Sequence, residues 1–256
     1  MLSFENIHLS FSGVKALNGV SFDVKEGELL SIIGPNGAGK TSLFNTLSGL
    51  HKPDRGDIKL NGASLLTKST HKRAALGLAR MFQNIALYEH LTVLENILIG
   101  RHHLYKSPLW KQILRTKSYR DEEVLQRAKV EEVIDFLNLE SYRLMPCGIL
   151  PYGILKRVEL ARALCLEPTI LLLDEPAAGL NQEETEDMAR YILDIKEEYN
   201  ITQILIEHHL HMVLDLADSI VVMDFGSMIT KGTPDEIKKD PKVKAAYMGQ
   251  EAQDGK

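Results

Sequence analysis

Two cysteines and the lack of a long apolar run limit what this 256-residue chain can be. Cys147 and Cys165 lie 18 positions apart. That spacing suits neither a disulfide framework nor a zinc-binding pattern, which favours a reducing compartment such as the cytoplasm. No apolar run approaches the roughly 18 residues that a membrane-spanning helix needs. The segment MLSFENIHLS lacks a basic region followed by an apolar one, so we expect no secretory signal.

The chain carries only a small excess of negative over positive charge. The chain has 30 Lys and Arg residues against 35 Asp and Glu residues, which gives a formal net charge of −5. This balance does not support extensive nucleic-acid binding. Hydrophobic residues make up 44% and charged residues 25% of the chain, which are ordinary globular values and exclude disordered and collagen-like chains. The length suits one large α/β domain, with or without a small subdomain.

Strand patterns alternate with helical patterns toward both ends of the chain, which predicts an α/β fold. Two short runs, Leu2–Leu9 and Val20–Val24, indicate an antiparallel β element. The runs Leu29–Ile33, Ile170–Leu173 and Ile201–Ile206 are typical of buried strands. Because helical patterns follow these strands, we predict a mainly parallel core sheet that is covered on both faces.

The middle of the chain differs in composition from both ends. Residues 101–120 contain six basic and no acidic side chains, whereas residues 121–140 contain seven acidic and two basic ones. The pattern from Thr92 to about Leu166 is helical. We therefore predict an α-helical subdomain inserted at about 92–166 into a single domain of residues 1–249, with 250–256 as a frayed tail.

The segment after the strand Leu29–Ile33 matches the phosphate-binding P-loop at every position. Its residues are Gly34, Pro35, Asn36, Gly37, Ala38, Gly39, Lys40 and Thr41, and Ser42 follows them. The glycines let backbone N–H groups turn toward phosphate oxygens, and a helix that begins here adds the positive end of its dipole. We expect Lys40 to contact the β- and γ-phosphates and the Thr41 hydroxyl to bind Mg²⁺. The motif predicts binding of a nucleoside triphosphate, which many different functions share.

An acidic pair, Asp174 and Glu175, follows the apolar strand Ile170–Leu173. Acids at the carboxyl end of a buried parallel strand point into the crevice where ligands bind. We expect Asp174 to belong to the Mg²⁺ site and Glu175 to activate a water for in-line attack on the γ-phosphate. The alternative is that the pair merely ends a strand before Pro176, and the P-loop makes that alternative weaker.

In combination these residues resemble the ATPases of ABC transporters. Phe11 lies 29 residues before Lys40, where that family has an aromatic residue that stacks on adenine; the alternative is a core aromatic. Gln83 matches the glutamine loop of the family, which implies contact with Mg²⁺ or the attacking water and a position that faces the membrane partner. His208 matches the histidine that bonds the γ-phosphate, although a histidine that ends a strand is commonly a surface residue.

The resemblance also implies a head-to-tail pair of subunits that enclose ATP. The segment Ala178–Asn181 matches the loop that contacts the second subunit. Asn181 with Glu184 equally fits a helix N-cap pair, a role that needs no function. In such a pair, the helix after Leu150 contacts ATP on the other subunit, and Gly153 is the implied ligand residue.

The sequence departs from the family pattern at this signature. Most ABC ATPases have Leu-Ser-Gly-Gly-Gln, whereas this chain has Leu150-Pro151-Tyr152-Gly153-Ile154. Pro151 offers neither a hydroxyl nor an N–H, so one hydrogen bond to the γ-phosphate is lost, while the Gly153 amide and the helix dipole remain. Two hypotheses follow. Either the weakened signature still suffices, or this site is degenerate and catalysis depends on the signature of a different paired subunit.

A narrower resemblance is to the ATPases of branched-chain amino acid importers. The segments that carry it are FQNIAL at 82–87, LTVLEN at 91–96, DEPAAGLN at 174–181 and AYMG at 246–249. It implies a P-loop NTPase domain that hydrolyses ATP with Mg²⁺ to energise import of branched-chain amino acids or related small polar solutes. The implied partners are a second ATPase subunit, integral membrane permeases and, indirectly, a solute-binding protein, with no nucleic acid.

The same resemblance implies a peripheral position on the cytoplasmic face of the cell membrane. The alternative function is a non-transport or regulatory ABC ATPase, which would bind ATP and hydrolyse it weakly because of the altered signature.

Overall fold

The computed structural model of the chain describes residues 1–105, 107–108, 114 and 116–243. It has two compact units, which are described separately below. Unit 1 consists of Met1–Arg80, Thr169–Glu175 and the residues from Ile192 onward, and unit 2 consists of Met81–Pro168 and Pro176–Tyr191. The predicted insertion at about 92–166 falls within unit 2. The predicted frayed tail, 250–256, lies outside the described residues.

Ten strands and eight helices are named here in chain order. The strands are β1 (Leu2–Phe11), β2 (Val14–Val24), β3 (Leu29–Ile33), β4 (Arg55–Leu60), β5 (Ala63–Ser64), β6 (Leu78–Met81), β7 (Ile170–Asp174), β8 (Thr202–Ile206), β9 (Ser219–Asp224) and β10 (Ser227–Gly232). The helices are α1 (Lys40–Ser48), α2 (Thr70–Ala75), α3 (Val93–Gly100), α4 (Lys117–Phe136), α5 (Tyr152–Leu164), α6 (Gln182–Tyr199), α7 (Leu210–Leu216) and α8 (Pro234–Lys239).

The core sheet of unit 1 has six strands in the order β10-β9-β3-β8-β7-β6. Strand β3 pairs in parallel with both β8 and β9, and β7 pairs in parallel with β8, whereas β10 is antiparallel to β9. Every residue of β3, β7 and β8 is buried, as expected for strands that are covered on both faces. The prediction of a mainly parallel core sheet is confirmed.

The register of this sheet aligns the carboxyl ends of β3, β7 and β8. Asp174 of β7 pairs with Ile206 of β8, and Ile206 pairs with Ile32 of β3. Because parallel strands all end at the same edge of a sheet, the segments that follow β3, β7 and β8 emerge side by side. These segments carry the P-loop, the acidic pair and His208.

The second sheet of unit 1 is antiparallel, in the order β2-β1-β4-β5, and confirms the predicted antiparallel element. Its inner face packs Phe4 against Phe22, whose ring centroids are 4.4 Å apart. The turn between β4 and β5 is Asn61-Gly62, and both residues have positive φ (50° and 79°), which suits the tight turn of a hairpin.

Unit 2 is mainly helical. Helix α3 begins with a capping box in which Thr92 and Glu95 bond each other's backbone N–H groups. The apolar faces of α3, α4 and α5 bury side chains such as Val93, Val130 and Val158. Within the described ranges, none of the helices combines the length and the apolar composition that a membrane span requires.

Candidate functional site

The P-loop of unit 1 connects the end of β3 to the start of α1, which is the context the motif needs. Gly39 has φ +97°, and a Cβ added to it would lie 2.4 Å from the backbone oxygen of Ala16, so only glycine fits. The loop is tightened by the Ala38 N–H, which donates to the Pro35 carbonyl at 3.1 Å. The backbone therefore holds the curved shape that lets successive N–H groups line an anion site.

Lys40 is buried at the first position of α1. Its Nζ donates hydrogen bonds to the carbonyl oxygens of Gly34 at 2.7 Å and Pro35 at 3.0 Å. Burial lowers the pKa of Lys40, and the charges of Glu175 and Asp174 act in the opposite direction. A buried ammonium beside a loop of backbone amides fits a polyphosphate, whose charge would favour the protonated amine.

The two acids at the end of β7 have different environments. Asp174 is the last residue of the strand, and Glu175 follows it. Asp174 is buried, and its Oδ2 accepts a hydrogen bond from Nη2 of Arg80 at 2.6 Å. Glu175 has φ 50°, in the left-handed region that a non-glycine residue rarely adopts, and its N–H donates to the Ile206 carbonyl at 2.9 Å. Such strained residues are concentrated at functional sites, where the surrounding structure holds them.

His208 lies two residues beyond the end of β8 and contacts the second acid. Its Nε2 is 2.9 Å from Oε1 of Glu175, and because a carboxylate only accepts, we assign the proton to Nε2. The His208 side chain is 43% exposed, whereas that of Glu175 is 14% exposed. The structure therefore joins two of the predicted catalytic residues in one hydrogen-bonded pair.

A cavity of about 260 Å³ lies at this edge of unit 1. Its lining comprises Val14, Lys15, Ala16, the P-loop residues 36–42, Glu175 and His208. The predicted catalytic residues of unit 1 thus surround the predicted phosphate-binding loop, with Lys15 and Lys40 as the basic side chains of the lining. This arrangement can hold a polyanion and place a carboxylate beside it.

Phe11 lies outside this lining. The residue is 43% exposed, and its ring meets the His51 ring edge-on, with centroids 5.0 Å apart. The alternative of a core aromatic is therefore wrong. Stacking of Phe11 on adenine stays a prediction.

Two side chains of unit 1 have the oxygen donors that Mg²⁺ prefers, and their role as its ligands stays a prediction. Thr41 is exposed in the first turn of α1, and Asp174 ends the neighbouring strand β7. Mg²⁺ in nucleotide sites is usually held by one or two side chains together with phosphate oxygens and water. Among the described residues, no three or more His, Cys, Asp or Glu side chains form a group that could hold a metal ion.

Gln83 belongs to unit 2, where its backbone is tied to the signature helix α5. Nζ of Lys156, a fully buried residue, donates to the Gln83 carbonyl at 2.8 Å. Farther along the same segment, Ala86 N–H donates to Oε1 of Glu159 at 3.3 Å, and Nη1 of Arg162 donates to the Ala86 carbonyl at 2.6 Å. Three hydrogen bonds therefore join residues 83–86 to helix α5.

The altered signature, residues 150–154, lies in unit 2 at the start of helix α5. Pro151 is the N-cap of α5 and makes no side-chain cap bond, so the residue lies just before the first helical turn. Ile154 is buried. A Cβ on Gly153 would come within 2.2 Å of Oε1 of Glu184, so a carboxylate sits against the glycine that is predicted to meet phosphate.

Asn181 and Glu184 form a reciprocal cap at the start of α6. Glu184 N–H donates to Oδ1 of Asn181, and Asn181 N–H donates to Oε2 of Glu184, each at 3.0 Å. The N-cap interpretation is confirmed. A contact of the segment Ala178–Asn181 with a second subunit stays a prediction.

Two residues with contacts at these sites, Arg80 and Lys156, belong to none of the motifs described above. Arg80 could have been noticed as a charge inside the short apolar strand LARM. Lys156 carries no such signal, because its role depends on neighbours that are distant in the sequence. Glu184 was predicted as part of the helix cap, whereas its position beside Gly153 was not.

Comparison with known proteins points to one family. A profile described as ABC transporter matches residues 17–178. A second profile, described as branched-chain amino acid ATP-binding cassette transporter, matches residues 227–253, of which 244–253 lie outside the described residues.

Individual relatives match nearly the whole chain. It is 37% identical over 250 residues to the high-affinity branched-chain amino acid transport ATP-binding protein BraF of Pseudomonas aeruginosa, with 98% of each chain covered. It is 37% identical over 252 residues to the corresponding protein LivG of Escherichia coli, again with 98% of each covered. A solved ATP-binding cassette of an ABC transporter, in its ADP conformation, is similar with a TM-score of 0.83 at 33% identity, covering 97% of this chain and 98% of that one.

Proposed function

The chain belongs to the ABC transporter family of ATPases, and we propose that it is the ATP-hydrolysing subunit of an importer for branched-chain amino acids. One observation carries the catalytic part of this proposal: Glu175 and His208 form a hydrogen-bonded pair in the lining of the cavity around the P-loop. The substrate class is supported by the names of the relatives BraF and LivG and by the second profile.

We propose that ATP binds with its phosphates on residues 34–42 and its adenine near Phe11. The backbone amides of the loop and the start of α1 attract the phosphates. Lys40 then exchanges its hydrogen bonds to the carbonyls of Gly34 and Pro35 for bonds to phosphate oxygens. Thr41 and Asp174 would hold Mg²⁺, and the ion would supply neutralisation of phosphate charge. The contribution of Gln83 to that ion rests on the family resemblance.

Hydrolysis follows from the Glu175–His208 pair. When the γ-phosphate arrives, the Nε2–H of His208 shifts from Glu175 Oε1 to a γ-phosphate oxygen. Glu175 is then ready to accept a proton from the attacking water. As the water oxygen bonds to the γ-phosphorus, the bond to the bridging oxygen breaks and ADP leaves. His208 thereby couples the presence of a third phosphate to the release of the base.

The partners follow from the family. We propose that a second ATPase subunit closes over the nucleotide with its signature helix, and that the permease subunits lie against unit 2 near Gln83. The bonds of Lys156, Glu159 and Arg162 to segment 83–86 support this, since they join the segment to helix α5. The subunit would then lie on the cytoplasmic face of the membrane and act indirectly with a solute-binding protein.

The alternative is a regulatory ABC protein that binds ATP and hydrolyses it weakly. The signature at 150–154 is the feature that favours it. The acidic pair, the histidine and the names of the relatives all favour the transporter instead.

The test is uptake by the complete transporter. The complex is purified from its own membranes through a tag on this chain, reconstituted in vesicles, and supplied with labelled leucine, isoleucine or valine. We expect ATP-dependent uptake that Lys40→Ala abolishes. Hydrolysis without uptake of any of the three amino acids would contradict the substrate class, and binding of ATP without hydrolysis would support the regulatory alternative.

A further inference from the structure

Arg80 forms several contacts within unit 1. None of them has a role in the catalytic cycle proposed above. Its side chain is 7% exposed. Nη2 donates to Oδ2 of Asp174 at 2.6 Å, and Nη1 donates to Oδ1 of Asn45 at 2.8 Å and to Oγ of Ser48 at 3.0 Å. The guanidinium carbon also lies 5.7 Å from the centre of the Phe44 ring.

These contacts join two elements that carry the proposed Mg²⁺ ligands. Asn45 and Ser48 are three residues apart on α1, so they lie on the same face of the helix whose first turn holds Thr41. Asp174 ends β7. A guanidinium is planar and rigid, so it can fix both partners at once in a way that a single ammonium cannot.

We propose that Arg80 is a positioning residue for the divalent cation, and this inference rests on the proposed function. By bonding Oδ2, the arginine fixes the plane of the Asp174 carboxylate relative to α1 and hence relative to Thr41. It also compensates the buried negative charge, which would otherwise be costly. Partners that orient metal ligands in this way commonly change metal affinity by about 10–100-fold when they are removed.

A purely structural role for Arg80 makes a different prediction. Loss of buried hydrogen bonds would lower stability, and it would weaken nucleotide binding equally with and without the metal. A positioning role alters the Mg²⁺ dependence specifically. The readout is therefore the half-effect Mg²⁺ concentration, which is the concentration that gives half of the metal-induced gain in ADP affinity. It is measured with a fluorescent ADP analogue at equilibrium.

The chain offers a matched control. Arg73 is also buried and donates through Nη1 to the backbone oxygens of Thr46 and Leu47 on α1, at 2.7 and 2.6 Å. None of the Arg73 hydrogen bonds described here involves Asp174. Arg73→Gln therefore removes a buried arginine from the same helix and leaves the carboxylate in place.

We expect Arg80→Gln to raise the half-effect Mg²⁺ concentration about tenfold, while ADP affinity in EDTA stays close to wild type. The half-effect concentration of Arg80→Lys should lie between those of wild type and Arg80→Gln. That of Arg73→Gln should match wild type. A shift below about fivefold, or a shift to lower Mg²⁺, overturns the inference. An equal shift in Arg73→Gln overturns it as well.

A second variant covers the case in which Arg80→Gln does not fold. The double variant Asn45→Ala and Ser48→Ala removes the α1 side of the bridge and keeps the Arg80–Asp174 pair. It should shift the half-effect concentration in the same direction, and an unchanged concentration overturns the inference. If wild-type protein fails to bind ADP at all, the proposed function fails. If wild type shows a Mg²⁺ dependence that Arg80→Gln leaves intact, only this inference fails.

Discussion

His208 and Glu175 are joined by a hydrogen bond of 2.9 Å between Nε2 and Oε1, across the ends of two neighbouring parallel strands. The register of β7 and β8 brings the two residues together, and the left-handed backbone of Glu175 turns the residue away from the strand direction. In the mechanism proposed above, the histidine holds the base until a γ-phosphate takes the hydrogen bond over. On this proposal, the pair would distinguish ATP from ADP.

Replacement of this histidine tests that role. We expect His208→Ala to lower the hydrolysis rate by at least about 100-fold and to weaken ATP binding, because the γ-phosphate loses a donor. ADP binding should not change. Equilibrium titrations with both nucleotides, together with phosphate release, measure these effects.

His209→Ala is the control for this experiment, since the neighbouring histidine is also exposed and does not line the cavity. That variant should behave as wild type. Equal loss of ATP and ADP affinity in His208→Ala would contradict the proposed transfer of the hydrogen bond.

Glu184 places a carboxylate beside the signature helix. A negative charge near a helix N-terminus stabilises the free chain by about 0.3–1 kcal/mol. A phosphate that binds at the same place competes with this charge for the helix dipole and is repelled by it. Glu184→Gln keeps an acceptor for the cap of α6 and removes the charge. We expect ATP-dependent association with the partner subunit to tighten by about two- to fivefold, measured by analytical ultracentrifugation.

Glu183→Gln serves as the matched control, because this exposed acid lies in the same first helical turn. A similar gain in both variants would mean that general charge, and not the position beside Gly153, is responsible.

Pro151→Ser tests the two hypotheses about the signature. A serine hydroxyl at the N-cap could bond both the helix and the phosphate, and one such bond is worth about 0.5–1.5 kcal/mol. If the present signature suffices, hydrolysis by the complex should rise by no more than about tenfold. A rise above about 100-fold, or roughly 2.7 kcal/mol, would show that the native site is degenerate.

Glu159 makes stability depend on pH. This residue is 1% exposed, and its Oε2 has no hydrogen-bond partner within the part of the chain that the structure describes. Burial raises the pKa of Glu159 above its ordinary value of 4.5, although Ala86 N–H, Arg162 and Lys156 oppose the shift. As pH rises from 4.5 through the raised pKa, the folded state retains a proton that the unfolded state has lost, so the free energy of unfolding falls.

Glu159→Gln removes this penalty and keeps an acceptor for Ala86 N–H. We expect the variant to have a higher Tm than wild type at pH 8, with a difference that shrinks as pH approaches 4.5, the ordinary pKa. Thermal melts across this range measure it. Glu140→Gln, at an exposed position, should show no such pattern, and a constant difference between Glu159→Gln and wild type would contradict the argument.

Much of the site could be predicted because its parts follow strands. The P-loop, Asp174-Glu175 and His208 each come after an apolar run, and a parallel sheet necessarily gathers such segments at one edge. The fold was predictable for the same reason, apart from β5, β6 and β10. Strand β6 is only four residues long and contains an arginine, so its local pattern does not indicate a strand.

Other features depend on contacts that no local pattern contains. Arg80 reaches Asp174 because β6 is the neighbour of β7 in the sheet. The contact of Glu184 with Gly153 requires the start of α6 to lie beside the start of α5 within unit 2. Such pairs are set by packing, which a single sequence does not reveal.

We propose Glu175 as the base that activates water for hydrolysis of the ATP held by the P-loop. The most direct measurement is the single-turnover rate of ATP hydrolysis by the purified complex that contains Glu175→Gln. We predict a rate at least about 100-fold below wild type, with ATP affinity preserved. A rate within about tenfold of wild type would contradict the account.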